Sequence, residues 1–357
     1  MKRRLSQRLK RKRFVCALAV GLFLIICIIK QSNLRQITQS KLLQIFSAGK
    51  RSAAFYIWDD NTTYSWMKSF KSGNYNYTEL LRPKGVYKGI PYLVVVASGI
   101  MNRLRRSAIR DTWAKGLRDS DGAEAAVVFL LGRSEIQYFQ KLVNTEHTQY
   151  GDIVQFDFKD TFRNASLKTV LMLRWASKFN PTYLVKADDD TIVNVRKLRL
   201  ELQSLQANFS KPVIAGYELI HVAPRRMKND KWAVSEKEYP DKLYPNFVSG
   251  CLYVISGKAL APLYETALNT RPLSLEDVFV TGLVATRAGI PRVSLKDIEI
   301  LGLDEACEMH EKLAVHHISA SRMRLLSRVL SSFVRHCTSL SCSCIPLASP
   351  QLKATSK

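Results

Sequence analysis

From residue 90 onward, short runs of consecutive apolar residues alternate with segments in which apolar side chains recur every three or four positions. The runs are Tyr92–Ala97 (YLVVVA), 126–131 (AVVFLL), 153–158 and 183–187, rich in β-branched and aromatic residues. Continuous apolar runs of this length read as strands buried on both faces. The spacing predicts helices over 103–115, 135–145 and 165–179; in the last, Leu167, Val170, Leu171 and Trp175 share a face. Strand and helix in alternation predict an α/β fold whose mainly parallel central sheet is flanked by helices. Beyond about Val213 the pattern is less regular. It predicts a strand over 247–255, a helix over 276–288 and a basic amphipathic stretch over 322–330, and the chain has no internal repeat.

The N-terminal part follows neither period. Residues 1–13 hold eight basic residues and no acid, and residues 14–29 (FVCALAVGLFLIICII) carry no charge before Lys30. Such a segment is at the short edge of what spans a bilayer, which suits a thinner membrane. Lys30-Gln31-Ser32-Asn33 lacks the small-x-small pattern of a cleaved signal peptide. We therefore expect a cytoplasmic basic tail (1–13), a transmembrane signal-anchor (14–29) lying in the lipid bilayer, and a luminal stem (30–88) of mixed polarity. A catalytic domain (89–320) and a basic, cysteine-containing C-terminal tail (321–357) follow. The four Asn-x-Ser/Thr sequons, at Asn61, Asn76, Asn164 and Asn208, all lie beyond the expected anchor.

Charge narrows the partners. The chain has 357 residues and a formal net charge of +24, of which eight units sit in the first thirteen residues. The rest is spread without the stripe that a nucleic-acid surface needs, so no nucleic-acid partner is expected. A hydrophobic fraction of 46% excludes wholesale disorder. Seven cysteines are too few for a disulfide-built miniprotein; the five beyond the apolar segment (Cys251, Cys307, Cys337, Cys342, Cys344) allow at most two disulfides and an odd thiol. No Gly-rich P-loop or dinucleotide fingerprint is present.

The chemistry concentrates at Asp188-Asp189-Asp190, directly after the predicted strand 183–187. Ligands of open α/β sheets bind at the carboxyl ends of strands. In an extended chain Asp188 and Asp190 face one way, and two close carboxylates repel unless a cation lies between them. Hard oxygen donors suit Mg²⁺ or Mn²⁺; a solvated acidic loop is the alternative. Glu276-Asp277 opens a predicted helix, either as a dipole complement or with one carboxylate as general base. His316-His317 could complete a metal site or be structural. Arg106 and Arg110, four apart on one predicted helix face, and Lys168 are candidates for a diphosphate, whereas Arg103 and Arg105 read as a solvated face. Trp113 and Trp175 read as core.

Several segments together resemble the β1,3-glycosyltransferase family, which includes β1,3-galactosyltransferases and β1,3-N-acetylglucosaminyltransferases. Arg106 to Trp113 (RSAIRDTW) resembles its R-x-x-I-R-x-T-W, and Asn164 to Thr169 (NASLKT) its N-L-T-x-K-T helix. Val185 to Asn194 (VKADDDTIVN) is similar to V-K-x-D-D-D-x-F-V-N. Tyr244-Pro245 with Ser249-Gly250 and Tyr253-Val254, then Leu275 to Val278 (LEDV), and Cys307 nine residues ahead of His316 in the segment VHHIS complete the series. The sequence departs from the pattern at Val248, Cys251 and Leu252, and Gly282 stands one residue further beyond Glu276-Asp277-Val278 than in the family.

The resemblance implies a GT-A type fold in a single-pass type II Golgi membrane enzyme with its catalytic domain in the lumen. It implies a UDP-sugar donor, Mn²⁺, and inverting transfer of a hexose, galactose by preference, to a hydroxyl of a glycan on lipid or protein. N-acetylglucosaminyl or N-acetylgalactosaminyl transfer is the alternative, and a catalytically inactive glycan-binding protein the different class. By the same resemblance Asp190 and His316 ligate the metal with Asp188 nearby, and Asp277 is the catalytic base. Arg106, Arg110, Lys168, Asp188 and Asp189 attend the nucleotide-sugar.

Overall fold

The computed structural model describes residues 75–118, 125–227, 229–303, 306–337 and 342–346. The expected anchor at 14–29, the basic head and the sequon at Asn61 lie outside the described residues. Among the described residues no helix is long and apolar enough to cross a membrane.

Five strands form where the sequence predicts them, over 92–97, 125–133, 153–159, 183–188 and 247–256, and three more, over 79–81, 214–219 and 292–294, join their sheet. β1 (Glu79–Leu81), β2 (Tyr92–Ala97), β3 (Ala125–Arg133), β4 (Ile153–Lys159), β5 (Tyr183–Asp188), β7 (Ile214–Leu219), β8 (Phe247–Ser256) and β9 (Arg292–Ser294) build one sheet in the order β1-β4-β3-β2-β5-β8-β7-β9. Each of β2, β3 and β4 is followed by helix, and such crossovers leave β4-β3-β2-β5 parallel. The sheet as a whole is mixed, however, because β8 runs antiparallel to both β5 and β7, and β1 antiparallel to β4. The connection from β7 to β8 has no helix among its described residues, so nothing carries the chain back to the starting edge for a parallel return.

Both sheet faces are covered, as continuous apolar runs require. Leu93, Val95 and Leu130 point into one core with the helices Ala165–Ser177 (α4) and Gly257–Leu268 (α6). Val94, Val96 and Leu131 point into a second, with Arg103–Asp111 (α1), Trp113–Arg118 (α2) and Val195–Asn208 (α5). The helix predicted over 103–115 breaks at Thr112, whose hydroxyl donates to the Ala108 carbonyl. The helix predicted from 135 runs over Gln137–Tyr150 (α3) and ends where Gly151 takes a left-handed φ of 66°. Trp113 and Trp175 are core, 4% and 2% exposed. Trp175→Ala should cost about 3–5 kcal/mol, read as a drop in the urea midpoint.

The packed unit extends past both expected boundaries. Within the presumed stem, Tyr75 is buried and β1 pairs with β4. The basic amphipathic stretch is the helix Ala320–Ser332 (α7), whose Met323 and Leu326 are buried in the second core. Its Arg324 reaches Asp111 of α1 at 2.8 Å. Cys307 is disulfide-bonded, whereas Cys251 is a free buried thiol that burial pushes up to about 11, which leaves it unreactive at neutral pH. Of the sequons, Asn76 and Asn208 are exposed, and Asn164 is half-buried with its amide donating to the Lys159 carbonyl.

Candidate active site

A second, three-stranded sheet assembles the first half of the site. The chain turns after Asp188, and Ile192–Val193 (β6) then pairs antiparallel with Ala314–Val315 (β11), with Ile298–Glu299 (β10) on the other side. This register sets His316, the residue after β11, beside Asp190, the residue two before β6. The Ile318 N–H donates to the Asp190 carbonyl and closes the junction. The His316 Nε2 stands 3.0 Å from Asp190 Oδ1 and 3.7 Å from Asp188 Oδ2. The His317 ring stacks on His316 at 3.9 Å, with Nδ1 3.8 Å from Asp190 Oδ2. Burial opposes ionisation of Asp190, but the hydrogen bond and charge of His316, helped by Arg105, hold its carboxyl below the usual range. Burial and the neighbouring His316 push His317 down. One donor atom each from Asp190, His316 and His317 lies within 4.8 Å of the others, so a divalent cation of mixed oxygen and nitrogen preference fits.

Asp189 does something else. It is 5% exposed and its Oδ2 accepts from Ser98 Oγ (2.7 Å), the Gly99 N–H (3.2 Å) and Asn102 Nδ2 (2.9 Å). Its Oδ1 accepts from Arg105 (2.9 Å), whose guanidinium is also 3.5 Å from Asp190. Asp189 therefore staples the acidic turn to the end of β2 and the start of α1.

The second half of the site faces β5 from the helix that opens at Glu276. Asp277 accepts from the Val278 N–H at 2.9 Å and the Gly250 N–H at 3.3 Å. Burial first, then the adjacent Glu276 charge, pushes its carboxyl up from 3.8 to about 6. Glu276 accepts instead from Tyr253 Oη (2.6 Å) and from Lys186 Nζ (3.3 Å), and Lys186 also donates to Asp188 at 2.6 Å. Gly250 lets β8 come this close: a Cβ there would meet Glu276 Oε2 at 3.2 Å. After Asp277 the helix is π-helical over Val278–Val284.

Residues 104–296, which hold the acidic turn and the Glu276-Asp277 pair, match the family model described as Galactosyltransferase. The chain belongs to the galactosyltransferase family. It is 32% identical over 254 residues to beta-1,3-galactosyltransferase 1 of Mus musculus, an alignment covering 70% of this chain and 77% of that protein. It is 36% identical over 203 residues to beta-1,3-galactosyltransferase 5 of Pan troglodytes, covering 56% and 67%. Among solved structures, the galactosyltransferase LgtC in complex with donor and acceptor sugar analogues overlaps with a TM-score of 0.35 at 7% identity, over 66% of this chain and 95% of that one.

Within this galactosyltransferase family member, the structure redraws the basic half of the expected site. Arg106 is fully buried and donates a bidentate pair to Glu146 (2.9 and 2.7 Å), with further bonds to Ser98 Oγ and the Gly99 carbonyl. Arg110 donates to Glu146 and, twice, to Asp152, all at 2.8 Å, beneath the rings of Phe129 and Tyr150. Lys168 is 8% exposed and bonds the Ser98 carbonyl (2.8 Å) and Asp160 (2.7 Å). All five N–H donors of Arg106 are taken up inside the protein, and Arg110, Lys168 and Asp189, expected to attend a nucleotide, each hold internal partners here. A helix-face argument places two arginines side by side, but cannot tell whether carboxylates of α3 and β4 await them. Arg105, read from sequence as a solvated cation, is the arginine at the acidic turn. Lys186 and Tyr253 were missed too; the lone charge inside the apolar run YLVKA was the available signal.

Proposed function

We propose that the chain is an inverting β1,3-galactosyltransferase of GT-A type that moves galactose from a UDP-sugar to a hydroxyl of a glycan on lipid or protein. The observation that carries this reading is the joining of two unlike carboxylate sites. Asp190 and His316 form a cation-holding cluster, and the raised carboxyl of Asp277 is linked to it through Glu276, Lys186 and Asp188. Asp190 and His316, with His317 and Asp188 beside them, would hold Mn²⁺, which neutralises charge developing on a departing diphosphate. Asp277 accepts the proton of the acceptor hydroxyl while that oxygen bonds to the anomeric carbon. The bond from that carbon to the diphosphate oxygen breaks, and its electron pair leaves with UDP. The basic head stays in the cytosol, residues 14–29 anchor the protein in the Golgi membrane, and the folded unit lies in the lumen, where Asn76 and Asn208 are open to glycosylation.

The test is UDP release from a panel of UDP-sugars by the purified full chain with Mn²⁺, with and without β-linked sugar acceptors. Acceptor-stimulated release from UDP-galactose is expected. Release from another donor alone overturns the choice of galactose, and release without acceptor dependence overturns the transferase reading. Asp190→Ala should lower turnover at least about a hundredfold and weaken Mn²⁺ binding in calorimetry, with the thermal melt retained.

A further inference from the structure

We propose that Lys186 is a positioning residue that locks the cation-side carboxylate Asp188 and the acidic pair Glu276-Asp277 into one unit, so that Glu276 serves as a fixed counter-charge and Asp277 alone remains free to take a proton. The inference rests on the reading of Asp277 as proton acceptor and goes beyond it, because it assigns what sets that residue apart from its neighbour.

The placement is unusual for a lysine. On β5, side chains alternate between faces, so Lys186 shares its face with Leu184, deep in the first core, and with Asp188 at the strand end. Its side chain is 3% exposed. An ammonium has three N–H donors, and here three acceptors meet it: Asp188 Oδ1 at 2.6 Å, the Gly250 carbonyl at 2.5 Å and Glu276 Oε2 at 3.3 Å. No donor is left over for a phosphate.

The same bonds divide the acidic pair. Glu276 has one oxygen on Lys186 and the other on Tyr253 Oη. Among the described residues Asp277 has only backbone N–H partners, from Val278 and from Gly250, whose carbonyl is held by the same ammonium. The groups facing Asp277 are Glu276 on its own helix, Lys186 on β5, Tyr253 on β8, and Tyr244 from the segment before β8. Two of these charges act on it directly with opposite sign. Glu276 disfavours the carboxylate and Lys186 favours it.

The experiment is the pH dependence of kcat in the full chain for Lys186→Met, Glu276→Gln and the double variant, with thermal melts as the folding control. A charge at this range shifts a neighbour by about one pH unit. Lys186→Met should move the acid limb up by about that much, Glu276→Gln should move it down, and the double variant should return it near the wild-type position. Loss of rate with unmoved limbs overturns the proposal and leaves Lys186 as a structural counter-ion. If Lys186→Met does not fold, Glu276→Gln and the double variant decide by the same criterion. A wild-type enzyme with no acid limb near pH 6 would instead overturn the assignment of Asp277, and this inference with it.

Discussion

Asp277→Asn is expected to cut turnover by at least about a hundredfold while leaving the protein as stable as the wild type, or more so, at pH 7.5. The activity loss follows from chemistry: asparagine cannot accept the acceptor's proton, and no other carboxylate in the pair is free to replace it. The stability effect has a worked sign. Burial and the Glu276 charge raise the folded-state carboxyl from 3.8 to about 6. The ionised side chain therefore destabilises the fold by up to about 3 kcal/mol above pH 6, and that cost is relieved as pH falls from about 6 toward 4. Asparagine removes the charge and keeps an oxygen for the Val278 N–H. The melting temperature of the variant should thus match or exceed the wild type at pH 7.5, with the difference vanishing near pH 4. Wild-type kcat should fall as pH drops through about 6. A variant that loses activity and melts markedly lower at neutral pH would mean that Asp277 is a structural group; near-normal turnover would remove it from the chemistry.

Arg106→Met should destabilise the protein by about 2–3 kcal/mol, toward the low end for breaking a buried ion pair because Arg110 still holds Glu146 at 2.8 Å. Arg106 and Glu146 side chains are each 1% exposed and 2.7 Å apart, and Arg106 also ties the Ser98–Ile100 segment that holds Asp189. Burial pushes Glu146 up, but the bonds and charges of Arg106 and Arg110 prevail and hold it below 4.5. The pair's contribution is therefore present above pH 4.5 and lost as pH falls below it. Against a typical total of about 5–15 kcal/mol, the variant should show a clearly lower urea midpoint at pH 7. An unchanged midpoint with weakened UDP binding would restore Arg106 to the nucleotide site.

The contrast between these two residues shows where the sequence stops. Strands β2 to β5 and the helices between them were legible because burial on both sheet faces forces continuous apolar runs, and that constraint is local. The acid triplet was legible as a site because it ends such a run. Asp277 and His316 were placed by likeness to a family, not by periodicity. What residues 106 and 110 would do could not be read, since their partners at 146 and 152 belong to other elements and an arginine looks the same whether it meets a phosphate or a buried glutamate.

The sequence by itself determined the α/β class, the buried strands, the acidic turn at the carboxyl end of β5 and the family. The tertiary structure alone decided that β8 enters the sheet antiparallel and that β11 lays His316 against Asp190. It also decided that Asp189, Arg106 and Arg110 find partners inside the protein, that Arg105 stands at the acidic turn and that Lys186 joins Asp188 to Glu276. The physical reason is that hydrophobic burial writes a period along the chain, whereas a charged side chain is defined by the partner that satisfies it, and that partner is chosen only when distant segments meet.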